Sequence, residues 1–73
     1  MNTFYKWLIK QNYRKDQVGD ISRIIIDEID FLPDKKTKNS LIGHLIYADS
    51  EPYYIEALKS AWQEYKIYRN KIN

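Results

Sequence analysis

One histidine, His44, and a serine four residues before it, Ser40, are as close as this chain comes to a base and a nucleophile on one helical face. A catalytic imidazole also wants an orienting carboxylate, so the pair reads as structural. His44 has no second histidine and no cysteine with which to build a zinc site. The carboxylates Asp27, Glu28, Asp30 and Asp34 cluster in eight residues, without the glycine and oxygen-ligand spacing of a calcium loop. Two glycines cannot form a phosphate-cradling loop. The expectation is therefore a protein that is not an enzyme and that needs no metal or cofactor.

The same carboxylates suit a different role. They gather where a helix should end, and acids oppose the negative end of a helix dipole. Their placement is mildly unfavourable for the fold, and they are read as a candidate acidic interaction face. Charge runs in blocks along the chain: residues 1–19 carry +3, 20–34 carry −4, 35–48 carry +3, 49–58 carry −3 and 59–73 carry +3. The net charge of +2 is thus a near-cancellation. Lys35, Lys36 and Lys38, with Lys59, Lys66, Arg69 and Lys71, form a candidate basic stripe able to reach several phosphates.

Eleven of the 73 residues are aromatic. Phe4, Tyr5, Trp7, Trp62 and Tyr65 have the side chains of a base-stacking platform, but a small core needs their area, and Trp7 and Trp62 are assigned to packing. Tyr13, Tyr47, Tyr53 and Tyr68 fall less clearly on apolar faces and are the aromatics expected at a partner surface.

The length allows one small domain over residues 1–73, with a net stability of about 3 to 5 kcal/mol. Hydrophobic content of 44% with 15% aromatic residues is the composition of a chain that folds. No apolar run approaches the roughly 20 residues that span a bilayer, and Lys6 and Lys10 interrupt the apolar N-terminal stretch where a signal peptide would be continuous. The absence of cysteine fits a reducing compartment, so a cytoplasmic location without membrane attachment is expected. The abundance of Ile, Lys, Asn and Tyr points to an AT-rich genome, bacterial or phage.

Helical periodicity recurs in four segments. Phe4, Trp7, Leu8 and Gln11 predict a helix over Thr3 to Gln11, capped by Asn2 or Thr3. Residues 12–19 read as a polar loop, with Gly19 giving turn freedom and Asp20 capping a second helix over Ile21 to Ile29. A third helix carries Leu41, Leu45 and Ala48 behind a cap at Thr37 or Asn39, and Gly43 at its centre implies a close helix crossing. Ser50 as cap and Pro52 in the first turn start the last helix, of about 20 residues, whose far end is expected to overhang the core. The fold class is all-α: a compact four-helix bundle, or five helices if a short turn is counted, with a long C-terminal helix.

Particular residues then point to a family. Phe4-Tyr5-x-Trp7-Leu8, Val18-Gly19-Asp20-Ile21, Asp27 before Phe31-Leu32-Pro33, Glu56-Ala57-Leu58 and Ala61-Trp62-Gln63-Glu64-Tyr65 occur in order. Together they resemble the YozE family, small proteins of Gram-positive bacteria and their mobile elements. Two departures stand out: Leu32 separates Phe31 from Pro33, and Ser22 follows the start of the second helix. The resemblance implies a sterile-alpha-motif-like (SAM-like) helical fold and supplies no catalytic residues.

The function expected is a non-enzymatic interaction module that binds an unidentified protein, or a second copy of itself, through charged faces. The alternative is a DNA-binding regulatory protein that uses the basic stripe, and a third reading is a phage-type inhibitor of a host protein.

Overall fold

The computed structural model describes residues 3–34 and 36–72, without the side chains of Thr3 and Ile72. The expected cap at Asn2 or Thr3 therefore lies outside the described side chains. Four α-helices follow in order: α1 over Thr3–Ile9, α2 over Gln17–Asp27, α3 over Lys38–Tyr47 and α4 over Pro52–Ile72. Short 3-10 turns at Lys10–Tyr13 and Ile29–Phe31 extend α1 and α2, and no strand occurs among the described residues.

The core follows the periodicity. Leu8 of α1, Ile21 and Ile25 of α2, Leu41 and Leu45 of α3 and Leu58 of α4 are fully buried. Burial of each such side chain contributes about 1.5 to 3 kcal/mol before chain entropy is charged against it. Phe4 and Tyr65 are buried too, and Trp7 and Trp62 pack half-buried beside them. Phe4 meets Trp62 edge-on at 5.1 Å between centroids and Tyr65 at 5.5 Å. Phe4, Trp7, Trp62 and Tyr65 are packed against one another, which agrees with the assignment of the two tryptophans to packing.

The α1 helix tightens after Ile9. Gln11 and Asn12 donate their side-chain amides to the carbonyls of Trp7 and Ile9, which satisfies acceptors left over at the helix end.

The start of α2 differs from the sequence expectation. The helix begins at Gln17, and its cap is Asp16, whose carboxylate accepts from the Gly19 amide at 3.1 Å. Asp20 lies in the first turn. Gly19 does not provide turn freedom, because it is helical with ordinary backbone angles. Its role is steric. A Cβ there would stand 2.0 Å from the Arg14 carbonyl oxygen, so only glycine lets the incoming loop lie against α2.

The expected N-cap of α3 is present, with Thr37 Oγ1 accepting from the Ser40 amide. The expected crossing at Gly43 is not. Gly43 is exposed, and a Cβ built on it meets no atom within 4 Å. It costs α3 about 1 kcal/mol relative to alanine, with no packing inside the chain in return.

A Schellman turn closes α3. Asp49 takes a φ of 57°, its amide donates to the Ile46 carbonyl, and the Ser50 amide donates to the Leu45 carbonyl. Ser50 thus ends α3 through its backbone, and α4 starts at Pro52 with Glu51 as the residue before it. Pro52 suits that position because its missing N–H has no partner to lose. From Ile67 to Lys71 every side chain of α4 is exposed, which matches the expected overhang.

Candidate functional site

At the C-terminal end of α2 the chain turns through the second 3-10 segment. Leu32 points into the core, and Phe31 is left 77% exposed. Pro33 follows, and across from this turn runs the outer face of α3. Phe31, Pro33, Ser40, Gly43, His44 and Tyr47 line a shallow cleft of about 380 Å³. Tyr47 is 91% exposed.

The acidic residues divide here. Asp27, Asp30 and Asp34 are exposed, and no ion pair or hydrogen bond joins their side chains to a described residue. Glu28 turns inward, and its Oε1 lies 3.1 Å from Nε2 of His44. An ionised carboxylate can only accept, so the imidazole N–H donates. This contact ties the end of α2 to α3. Ser40 lies beside Thr37, whose hydroxyl donates to it at 3.1 Å, and Nε2 of His44 meets Glu28. Among the described residues no three His, Cys, Asp or Glu side chains gather to hold a metal ion.

The basic residues are spread more widely than a single stripe. Lys36 reaches the Pro33 carbonyl at 3.4 Å and lies over the Tyr5 ring, Lys38 over Trp62, and Arg69 over Tyr65, each between 5.6 and 5.8 Å from the ring centre. Lys59 pairs with Glu56 at 3.8 Å. Lys59 and Lys66 are two turns apart on one side of α4, but Lys71 is rotated roughly 140° from Lys66. Lys71 lines a separate cleft beside Trp7, Arg14 and Tyr68. Lys35 lies outside the described residues.

All four tyrosines expected at the surface are exposed. Two are engaged there: Tyr68 lies against Trp7 at 6.3 Å, and the Tyr53 hydroxyl donates to Asp20 at 2.5 Å. That hydrogen bond raises the Tyr53 pKa above its ordinary value.

A second polar cluster, at the start of α2, escaped the sequence reading. Arg14 donates two hydrogen bonds to Glu64, at 2.7 and 3.0 Å, and two to Asp16, at 2.6 and 3.1 Å. These bonds raise the Arg14 pKa, Glu64 first and Asp16 second. The Arg14 guanidinium, with help from the Gly19 amide, holds the Asp16 carboxyl below the usual range. Arg23 donates to the carbonyls of Asn12 and Arg14 at 2.7 and 2.8 Å and pairs with Asp20. The cluster clasps the loop between α2 and α4, and its local signal was the Asp16-x-x-Gly19 spacing.

No helix among the described residues is long and apolar enough to cross a membrane. No curated protein and no solved structure matches the chain significantly. The family model of the YozE SAM-like fold matches residues 3–67, which takes in all of α1, α2 and α3, the cleft between Phe31 and Tyr47, and α4 as far as Ile67. With that match over most of its length, on a helical fold that places the Phe-Tyr-x-Trp-Leu and Ala-Trp-x-x-Tyr blocks side by side, the chain belongs to the YozE SAM-like family.

Proposed function

We propose that this protein is a non-enzymatic, cytoplasmic docking module that binds another protein through the acid-rimmed face formed by the end of α2 and the outside of α3. The observation that carries this reading is the set of exposed carboxylates Asp27, Asp30 and Asp34, without an ion pair to any described residue, on the same stretch of chain as Phe31 and Pro33 of the cleft. An apolar centre with a charged rim is the usual anatomy of a protein interface. The carboxylates near the end of α2 face the negative end of its dipole, and a cationic partner would relieve that repulsion. The cytoplasmic placement rests on the cysteine-free composition.

Nucleic-acid binding is the second reading, favoured by Lys59 and Lys66 on one side of α4 with Lys38 nearby over Trp62. It is weaker. Lys38 already lies on the Trp62 ring, Lys59 pairs with Glu56, and Lys71 is turned away.

Affinity capture from cells of the source organism, with and without nuclease, tests the two readings. The docking reading predicts a nuclease-resistant protein partner that is captured by the wild type and lost on Asp30→Lys/Asp34→Lys. Loss of every partner on nuclease treatment would move the assignment to nucleic acid.

A further inference from the structure

We infer that the cleft between Phe31 and Tyr47 receives a basic amphipathic helix of another protein, which crosses α3 over Gly43. This inference rests on the docking reading above and names the chemistry of the partner. Gly43 stands in the middle of α3, where almost any other residue would be a better helix former. A glycine there is explained by a close helix crossing, yet among the described residues nothing outside its own turn of helix backbone comes within 4 Å of its Cβ position. The room faces solvent, where a second backbone can approach closely.

The surroundings specify what approaches. Ser40 and Gly43 lie one turn apart in the cleft lining, with the exposed rings of Phe31 and Tyr47 beside them. Asp27, Asp30 and Asp34 supply negative charge from the α2 side, and none of them forms an ion pair with a described residue. A low floor flanked by exposed rings, with carboxylates on the adjoining stretch of chain, fits a helix whose apolar stripe enters the groove and whose Lys or Arg side chains flank it. The exposed rings add faces on which those cations can rest. A second copy of this chain fits less well through its basic stripe. Lys36, Lys38 and Arg69 lie on aromatic rings and Lys59 on Glu56. Lys66 and Lys71 are too far apart around α4 to face one groove.

The test is calorimetric titration of the whole chain with three synthetic peptides. One is a helix of about 18 residues with leucines on one face and lysines flanking them. The others are its glutamate counterpart and the same basic sequence broken by two prolines. The basic helix should bind about tenfold tighter than either control or better. Gly43→Leu should weaken it by a similar factor without lowering the thermal midpoint, and Tyr47→Ser should weaken it in the same direction. Equal binding of the proline-broken peptide, no binding of the basic helix, or unchanged affinity in Gly43→Leu would overturn the inference. In affinity capture, a partner kept by Gly43→Leu but lost on Asp30→Lys/Asp34→Lys overturns the groove and leaves the docking reading standing. A wild type that captures no protein removes both.

Discussion

The two ends of α2 use the same residue type in opposite ways. At its start, Asp16 and Asp20 lie where the helix dipole favours negative charge, and each is closed by an arginine. At its end, Asp27 and Asp30 lie where the dipole disfavours them, and neither has a partner among the described residues. Glu28, beside them, is tied to His44. Carboxylates that hold the fold are recognisable by closed hydrogen bonds. Those left open at an electrostatic disadvantage are, on the docking reading proposed above, the ones available to a partner.

The contrast breaks most severely at Gly19. Gly19→Ala forces a Cβ against the Arg14 carbonyl and should destabilise the fold by about 3 kcal/mol, a large share of its total. Chemical denaturation of the purified variant reads this directly, and a loss below about 1 kcal/mol would mean that the loop relaxes freely.

Arg14→Ala comes next. It removes charge-assisted bonds to two partly exposed carboxylates, so solvent screening reduces the expected loss to about 1.5 kcal/mol. The pH profile carries the same signature. The Asp16 pKa is depressed in the folded state, so its stabilisation is present above the ordinary 3.8 and lost as pH falls through the folded value. The Tyr53 pKa is raised, so its contribution is full below the ordinary 10.0 and lost as pH rises through the folded value. Thermal midpoints against pH should lose the acid limb of this dependence in Asp16→Asn and part of the alkaline limb in Tyr53→Phe.

Between the ends, Ser22 is fully buried with no hydrogen-bond partner for its hydroxyl among the described residues. Ser22→Ala should stabilise the protein by about 1 kcal/mol, seen as a rise of roughly 4 to 8 °C in midpoint. The smallest effect belongs to the open end of α2. Asp27→Asn/Asp30→Asn/Asp34→Asn removes unfavourable charge and should raise stability by about 0.5 kcal/mol.

Much of this architecture was legible in the residues. Ile21 and Ile25, Leu41 and Leu45, and Leu58, Ala61 and Tyr65 announce their helix faces through spacing, because one buried stripe per helix is what a bundle requires. The start of α2 was misplaced by four residues. Asp20 behind a glycine resembles a cap, whereas the cap at Asp16 depends on a loop held by Glu64, 50 residues beyond Arg14 in sequence. Periodicity carries no information about such a pair. Gly43 marks room for a close approach, but spacing cannot separate a crossing within the chain from room left on its surface, and the structure leaves Gly43 exposed. The acidic cluster was visible, but the inward turn of Glu28 was not, because it depends on the packing of α3 against the end of α2.

The central claim is that Asp27, Asp30 and Asp34 serve binding and not folding. The most direct test is partner capture by Asp27→Asn/Asp30→Asn/Asp34→Asn, with its thermal midpoint taken on the same sample. A midpoint at or above that of the wild type with capture reduced at least about tenfold is the predicted result. Undiminished capture, or a fall in midpoint that accounts for the lost capture, would contradict it.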